Sequence, residues 1–368
     1  MTFELFLNFR KDSEKSPPKN IHVLAYIFMK FAVVGFGHIG RRHATIVKEF
    51  SNVELVGIVD IDESLKNHEL YPQGVPFFTS VEEMLAETDV EVVNICTPNG
   101  LHADQALLCL ENKKHVVIEK PMGLSKAKCE EVVFKALQMS RHVFVVKQNR
   151  YSPPSKWLKS LVEYDVLGKI HMVQINCYWN RDDRYYKPGN WKGSQNLDGG
   201  TLFTQFSHFI DIMYWVFGDI KNIKGNFEDF THKQSTEFED SGFVNFEFVN
   251  GGMGSINYST AVWDKNMESS ITVVAEKGSL KIGGQYMNEI EYCHIENYEQ
   301  PELPPTNPPN DYGPFKGSAA NHHYVIENVV GVLEGKASIT ANALEGLKVV
   351  EIIERIYEQR EPGLITEH

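Results

Sequence analysis

A glycine-rich turn near residue 35 constrains the fold of this 368-residue chain more than any other feature. The segment Gly35-Phe36-Gly37-His38-Ile39-Gly40 has the spacing G-x-G-x-x-G. The apolar run Phe31–Gly35 leads into it, a helical pattern follows it, and Asp60 ends the next apolar run, 20 residues past Gly40. In this context the three glycines predict a tight turn, a close approach of the backbone to a pyrophosphate, and close packing of helix on strand.

Acidic residues after the second apolar run bear on which dinucleotide would bind. Asp60 is expected to accept hydrogen bonds from ribose hydroxyls. Asp62 follows it, and no arginine occupies positions 61–63. Because a 2′-phosphate would meet negative charge here, the sequence favours NAD over NADP as the cofactor. A glycine turn without a ligand and a solvated acidic loop are the alternative interpretations of these residues.

Apolar runs alternate with helical patterns over residues 30–149. Further runs cover Val53–Val59, Val90–Thr97, His115–Glu119 and Val143–Lys147. Strands that are apolar throughout belong to parallel sheets covered on both faces. The sequence therefore predicts an N-terminal Rossmann domain, a doubly wound parallel sheet, over residues 30–149.

The pattern changes after residue 150. Strand candidates now follow one another with few helices between them, at Ile170–Trp179, Gly242–Val249, Met253–Thr260 and Ser270–Ala275. Glycine turns between some of them indicate antiparallel pairing, and Leu202–Val216 is predicted to be one long helix. We expect residues 150–368 to form an α/β domain with a mainly antiparallel sheet.

Charge and cysteine content exclude several classes of protein. The net charge of −13 argues against nucleic acid as a partner, because phosphate neutralisation needs a basic face. The five cysteines are odd in number and form no Cys-x-x-Cys pair, so neither a disulfide framework nor a cysteine metal site is predicted. This cysteine content favours the reducing cytoplasm as the location. No apolar run reaches ~18 residues, so we expect no membrane span and no membrane partner.

The first 29 residues do not fit either domain. Residues 11–20 are charged and contain Pro17-Pro18, and the apolar stretch Ile21–Met29 lacks the cleavage site of a signal peptide. We expect residues 1–29 to be an N-terminal extension, with Met29 as an alternative start.

Two short elements supply candidates for the chemistry. Glu119-Lys120-Pro121 ends an apolar run, where ligands of parallel sheets bind. His208 and Asp211 are spaced i,i+3 on the predicted helix. Taken singly, each would more often be an ordinary surface feature.

With these elements in this order, the sequence resembles the Gfo/Idh/MocA family of sugar and inositol oxidoreductases. It includes Gly35–Gly40, Asp60, Thr97-Pro98-Asn99 with His102, Glu119-Lys120-Pro121, and Gly199-Gly200 followed by His208-Phe-Ile-Asp211. The resemblance covers residues 30–360 and implies a Rossmann domain followed by an α/β domain with a large open sheet, often used for oligomerisation. A dimer or tetramer is the expected assembly.

The resemblance also implies site residues. Lys120 would be a catalytic lysine and His208 the acid/base. Many family members carry an aspartate four residues before this histidine, where this chain has Thr204, so the proton route could use His208 with water, or Lys120. The residues expected at the cofactor are Gly35, Phe36, Gly37, His38, Ile39, Gly40, Asp60, Thr97, Pro98, Asn99, His102, Glu119, Lys120 and Gln148.

A narrower likeness concerns the substrate. The segments 147–153, 179–186 and 191–193 are similar to those of bacterial UDP-N-acetylglucosaminuronate 3-dehydrogenases, enzymes of surface-polysaccharide (lipopolysaccharide) synthesis. Cations there suit a diphosphate or carboxylate, and interleaved aromatic rings suit a sugar or uracil. The expected substrate-binding residues are Arg150, Arg181, Arg184, Tyr185, Trp191, Lys192, Thr204 and His208. A solvated loop with a few buried rings is the alternative.

Three functions are compatible with these expectations. The first is an NAD-dependent dehydrogenase that moves a hydride between nicotinamide and a ring carbon of a nucleotide-linked sugar. The second is a dehydrogenase of a free sugar or inositol. The third, from another class, is a non-catalytic NAD-binding regulator; the presence of both Lys120 and His208 disfavours it.

Overall fold

The computed structural model describes residues 28–360, which form two large sheets, with helices packed against both, and one two-stranded hairpin. Most of the extension expected over residues 1–29 lies outside the described residues. Met29 itself already belongs to the first strand. None of the helices between residues 28 and 360 combines the length and the apolar character that a membrane crossing requires.

The first sheet is parallel and has six strands in the order β3-β2-β1-β4-β5-β6. Every residue of β4 is buried, as expected for a strand covered on both faces. The strands are β1 (Met29–Val34), β2 (Val53–Val59), β3 (Phe77–Phe78), β4 (Val92–Ile95), β5 (His115–Ile118) and β6 (Val143–Val145), and the helices between them are α1 (His38–Val47), α2 (Val81–Glu87), α3 (His102–Glu111) and α4 (Lys126–Met139).

The second sheet has seven strands in the order β13-β12-β11-β7-β10-β9-β8. Its pairs are antiparallel except β7 with β10, which run parallel. The strands are β7 (Ile170–Tyr178), β8 (Ile220–Glu228), β9 (Ser241–Phe248), β10 (Met253–Ser259), β11 (Glu268–Ala275), β12 (Gly278–Gly283) and β13 (Glu289–Ile295). Together the two sheets confirm the predicted α/β architecture.

Burial alternates along β9, so one face of the second sheet packs on the core and the other faces outward. The helices of this half are α5 (Pro153–Glu163), α6 (Ser207–Phe217) and α8 (Ala343–Tyr357). They belong to one continuous core that also includes residues of the first sheet.

The helix α7 (His322–Leu333) belongs to the second half of the chain but packs against the first sheet. A two-stranded hairpin, β14 (Pro309–Asp311) with β15 (Lys316–Ala319), leads into it. Its buried side chains, among them Ile326, pack in the same core as Phe31 and Ile58 of the first sheet. Helix α7 therefore covers the first sheet, although it lies far beyond the domain boundary expected at residue 149.

The long helix expected over Leu202–Val216 is not regular. Leu202–Phe206 forms a π-helical turn, which we call the π turn, and α6 continues from Ser207 to Phe217. Such turns occur frequently at functional sites. Here the π turn brings Thr204 and the start of α6 to the carboxyl ends of the first sheet.

Candidate active site

A cavity of about 1180 Å³ lies where the carboxyl ends of the parallel strands meet the π turn and the loop between β7 and α6. Ligands of open parallel sheets bind at this edge. The cavity runs from the glycine turn to His208, so it is long enough to bring a dinucleotide and a second molecule together.

The glycine turn shapes the first end of this cavity. Gly35 has φ +86°, and a Cβ there would lie 2.8 Å from the carbonyl oxygen of Cys96. A Cβ on Gly40 would lie 1.7 Å from the carbonyl oxygen of Gly35. By contrast, a Cβ on Gly37 would meet nothing within 4 Å, which leaves the backbone open to a ligand. The N–H groups at the start of α1, at His38, lie beside this open space and suit a phosphate.

Asp60 lines the cavity and also fixes the turn. Its Oδ2 accepts a 2.6 Å hydrogen bond from the N–H of Phe36, and its Oδ1 accepts one of 3.0 Å from the N–H of Asp62. The carboxylate is therefore held where the ribose of a dinucleotide would lie. The Phe36 ring itself is buried and packs edge-on against Tyr71, so only its backbone serves the site.

Most of the residues expected at the cofactor lie together on this wall. Twelve of the fourteen line the cavity: Gly35, Gly37, His38, Ile39, Asp60, Thr97, Pro98, Asn99, His102, Glu119, Lys120 and Gln148. Phe36 and Gly40 support the turn from behind it. Both ring nitrogens of His102 lie against main-chain carbonyls, those of Pro121 at 2.7 Å and Thr97 at 2.8 Å, so this histidine holds two cavity loops together.

Lys120 projects from the end of β5 towards the π turn. Its Nζ donates a 2.6 Å hydrogen bond to the carbonyl oxygen of Thr204. Burial lowers the pKa of Lys120 to about 8, and the charges of Glu119 and Asp198 oppose this change. The side chain is thus a cation at neutral pH that sits close to its titration range.

His208 lies at the start of α6, buried against the same cavity. Among residues 28–360 no hydrogen-bond partner of its ring is found. Burial, followed by the charges of Lys120 and Lys147, lowers the pKa of His208 well below its usual value. The enclosed site therefore keeps the imidazole neutral, which is the form that accepts a proton.

Glu119 is anchored by two histidines from distant helices. Its Oε1 lies 3.0 Å from Nε2 of His43 and 3.2 Å from Nε2 of His322. Burial raises the pKa of Glu119, but the two histidines outweigh it and the pKa falls well below the usual range. This carboxylate therefore fixes the turn that carries Lys120 by joining α1, β5 and α7.

Thr204 is the centre of a buried polar cluster that the sequence did not reveal. Its hydroxyl donates to the Asp198 carboxylate and accepts a 2.6 Å hydrogen bond from Nδ2 of Asn99. Asp198 is fully buried and also accepts a 2.8 Å hydrogen bond from the N–H of Gly193. Sequence reasoning missed Asp198 because it stands in a loop and belongs to no spacing pattern.

The far wall of the cavity is cationic and aromatic. Arg181 is buried, and its guanidinium packs 4.8 Å from the ring centroid of Trp179 and 5.2 Å from that of Tyr185. Lys192 lies with its Nζ 3.8 Å from the Tyr185 ring centroid. The structure brings together on this wall the expected residues Arg181, Arg184, Tyr185, Trp191, Lys192, Thr204 and His208.

Arg181 and Lys192 share a further property. Their hydrogen-bond and ion-pair partners within residues 28–360 include no carboxylate; Arg181 donates to neutral oxygens such as Oε1 of Gln205 at 2.8 Å. Arg184 differs, because Asp182 binds it at 2.7 Å. The wall therefore carries two cations whose charge no acid neutralises by contact.

Arg150 is not on this wall, which corrects the expectation that it binds substrate. Its guanidinium is buried and forms a double hydrogen bond with Asp211, at 2.8 and 2.9 Å, and a 2.5 Å bond with Glu345. Lys147 adds a second cation 3.4 Å from Asp211. A guanidinium saturated in this way is a support behind α6 and has little capacity for a ligand.

Comparisons with known proteins agree with this geometry. Residues 29–147 match the family model described as an oxidoreductase family with an NAD-binding Rossmann fold, and residues 156–281 match the GFO/IDH/MocA C-terminal domain. Among curated proteins, myo-inositol 2-dehydrogenase of Thermotoga maritima is 25% identical over 68% of this chain and 74% of its own length. Glucose-6-phosphate 3-dehydrogenase of Bacillus subtilis is 30% identical over 51% of this chain and 53% of its own length.

Solved structures extend the likeness over almost the whole chain. The WlbA dehydrogenase from Chromobacterium violaceum, crystallised with NADH and UDP-GlcNAcA, is 30% identical with a TM-score of 0.80, covering 90% of this chain and 94% of that one. The WlbA dehydrogenase from Bordetella pertussis, with the same two ligands, is 29% identical with a TM-score of 0.80, covering 90% and 96%.

Proposed function

This chain belongs to the Gfo/Idh/MocA family and is an NAD-dependent sugar or polyol dehydrogenase, and from that premise we propose that it oxidises a ring hydroxyl of an anionic, nucleotide-linked sugar. The proposal concerns the substrate and the roles of individual residues. It rests on one observation above all: Arg181 and Lys192, on the aromatic wall of the cavity, are cations that no carboxylate contacts within residues 28–360.

Buried cations need a partner charge. Taking a guanidinium out of water is costly unless an anion or several hydrogen bonds compensate it. Arg181 has hydrogen bonds but no acid in contact, and the neighbouring Lys192 has its pKa lowered to about 8, first by burial and then by Arg181. A substrate phosphate or carboxylate between them would supply the charge that the protein does not. The adjacent rings of Tyr185 and Trp191 suit a sugar or base.

The likeness to two dehydrogenases crystallised with UDP-GlcNAcA supports the same substrate class. The alternative, a free sugar or inositol as substrate, is supported by the similarity to myo-inositol 2-dehydrogenase. The named substrate of glucose-6-phosphate 3-dehydrogenase is intermediate between these two classes, because it is a sugar that carries one phosphate but no nucleotide.

The residues of the glycine turn fit the dinucleotide. The open space at Gly37, the N-terminus of α1 and the Asp60 carboxylate would hold its pyrophosphate and ribose. NAD supplies the hydride acceptor when bound.

The protein's own part in the reaction is proton transfer and charge stabilisation. We propose that neutral His208 accepts the proton of the substrate hydroxyl at a ring nitrogen. The Lys120 ammonium donates a hydrogen bond to the same oxygen as negative charge develops on it. The low pKa of His208 and the retained charge of Lys120 give the two side chains opposite protonation states, as this division of roles requires.

The outer face of the second sheet is the surface through which we propose that copies of this chain associate. Met172 and Met253 lie in register on neighbouring strands there and are both exposed. We propose that this face forms the contact of a homodimer or homotetramer. Light scattering of the protein and of Met253→Lys would test this, and an unchanged mass for the variant would count against it.

The substrate class is tested by binding and by turnover. Thermal-shift screening of UDP-sugars and free sugars with NAD present, followed by NADH formation at 340 nm, identifies the class. Lys192→Met should raise KM for a UDP-sugar about tenfold, since a charge-assisted contact contributes ~1.5–3 kcal/mol. Turnover of a neutral sugar should not change.

Lys224→Met provides the control, because Lys224 is exposed on β8 away from the cavity. Equal losses on charged and neutral substrates would assign Lys192 to the fold. An unchanged KM for the UDP-sugar, together with efficient turnover of inositol or a free sugar, would replace the proposal by its alternative.

A further inference from the structure

The Asp198 carboxylate has no place in the reaction as described so far, yet it is fully buried behind the cavity wall. A buried carboxylate has to be compensated by hydrogen bonds or by nearby cations. Asp198 has both: the N–H of Gly193 at 2.8 Å and the hydroxyl of Thr204 bind its two oxygens, and the charges of Lys120 and Lys192 act on it.

Thr204 links this carboxylate to the catalytic cation. Its side chain donates to Asp198, whereas its carbonyl oxygen accepts the 2.6 Å hydrogen bond from Nζ of Lys120. Asn99 fixes the arrangement by donating both to the Thr204 hydroxyl at 2.6 Å and to the Asp198 carbonyl at 2.9 Å. One residue of the π turn therefore holds the ammonium on one side and a negative charge on the other.

We propose that Asp198 is a positioning residue of the active site: through Thr204 it holds the Lys120 ammonium at the cavity and supplies the negative charge that keeps it protonated. The inference rests on the proposed function only in calling this ammonium catalytic. It assigns to a loop aspartate a role that no sequence pattern marks.

Lys120 needs such support because burial lowers its pKa and the charged groups around it act on that pKa in opposite directions. Burial lowers its pKa to about 8; Glu119 and Asp198 act to raise it, and Lys147 and Arg181 act to lower it further. Glu119 already accepts hydrogen bonds from two histidines. Glu119 is the larger of the two negative charges that act on Lys120, whereas Asp198 is joined to its Nζ atom by a chain of contacts through the hydroxyl and the carbonyl of Thr204.

The charge state of Asp198 sets the pH range of this support. Burial raises its pKa to about 6, although Thr204, Gly193, Lys120 and Lys192 all oppose that rise. The uncharged phenols of Tyr185 and Tyr186 also face it. Above pH 6 the carboxylate is ionised, and below about pH 8 the lysine is protonated. We infer that the pair is in its working form between these two values.

The test measures the titration of Lys120 without any substrate. Full-length protein is treated with limiting acetic anhydride at pH 6–10, and acetylation of each lysine is followed by peptide mass spectrometry. In the natural protein Lys120 should reach half its maximal reactivity near pH 8. In Asp198→Asn the midpoint should fall by about one pH unit or more, as expected when an opposite charge is removed, so that reactivity at pH 7 rises about fivefold.

Thr204→Ser, which keeps the hydroxyl, should leave the midpoint unchanged, and exposed Lys224 should titrate alike in all variants. An unchanged Lys120 midpoint in Asp198→Asn overturns the proposal. Asp198→Ser repeats the charge removal if the asparagine does not fold. Failure of both to bind NAD would assign Asp198 to folding and equally overturn it. Because no sugar is used, the result is independent of whether the proposed substrate class is correct.

Discussion

The Nζ atom of Lys120 and the carbonyl oxygen of Thr204 are 2.6 Å apart, although 84 residues separate them in the chain. The lysine follows a strand of the first sheet, and the threonine belongs to the π turn that precedes α6. Neither half of the molecule can therefore fix the position of the Lys120 ammonium alone. The active site depends on how the π turn docks against the Rossmann sheet.

The glycine turn offers a pair of variants that separate cofactor binding from folding. Gly37 has φ −68° and open space beside it. Gly37→Ala should keep the free energy of unfolding within about 1 kcal/mol but weaken NAD binding at least tenfold, because the methyl group projects into the phosphate space. Calorimetric titration with NAD and urea unfolding measure the two effects.

Gly40→Ala is the matched comparison. Its methyl group would lie 1.7 Å from the Gly35 carbonyl oxygen, so α1 would have to move away from β1. We expect a loss of stability of several kcal/mol, the range for severe overpacking. Equal stability of the two variants would contradict the packing role assigned to Gly40.

The cofactor preference depends on Asp60. The natural protein should bind NAD at least tenfold more tightly than NADP, a difference of about 1.4 kcal/mol, because the carboxylate repels a 2′-phosphate. The charge of Asp60 also attracts the Arg41 guanidinium, so Asp60→Ala should free a cation and narrow the preference. Fluorescence titration with both cofactors measures it. Equal affinities for NAD and NADP in the natural protein would refute the prediction.

Substitution of Lys120 or His208, the two side chains proposed to be catalytic, should lower turnover and leave cofactor binding unchanged. Lys120→Met and His208→Ala should each lower kcat on the order of 10²-fold, the usual scale for acid–base groups. Since the pKa of Lys120 is about 8, kcat/KM should fall as pH rises through this value and the cation is lost. The initial rate of NADH formation against pH measures both effects. Near-normal kcat in His208→Ala would mean that another group accepts the proton.

The buried ion pair behind α6 should contribute to stability. Burial raises the pKa of Asp211, but Lys147 and Arg150 outweigh it and the pKa lies below the usual value. Asp211→Asn leaves two buried cations with weaker partners and should lower the free energy of unfolding by about 3–5 kcal/mol. Asp182→Asn, at the exposed pair with Arg184, should cost less than about 1 kcal/mol. Urea unfolding compares them, and similar losses would contradict this distinction.

Local patterns were sufficient to predict the Rossmann sheet and the NAD cofactor, and the family resemblance implied the dehydrogenase class; all three are confirmed. The glycine spacing and the acid 20 residues beyond it are short-range features, and parallel strands necessarily end at one edge of their sheet. Lys120 and Asp60 could be placed at the cavity for that reason alone. Their roles in binding and catalysis remain predictions.

Contacts between residues that are far apart in the chain could not be predicted from the sequence. Arg150 was expected at the substrate, but Asp211, 61 residues away, accepts hydrogen bonds from its Nε and Nη2 atoms. Asp198 was not singled out because its importance comes from Thr204 and Asn99, which only the folded chain brings to it. A charged residue in a loop carries no mark in the sequence that distinguishes a solvated side chain from a buried one.

Because of the π turn Leu202–Phe206, the geometry of the active site depends on the exact number of residues in this segment. A π turn spans i to i+5, one residue more than an α turn, and each residue added to or removed from a helix rotates all later residues of that helix by about 100°. Loss of one residue from this segment would leave a regular helix and an intact sequence at both Lys120 and His208, yet direct the histidine away from the lysine. An alignment with a gap at this place would therefore match a chain in which the lysine and the histidine are both present but no longer face one cavity.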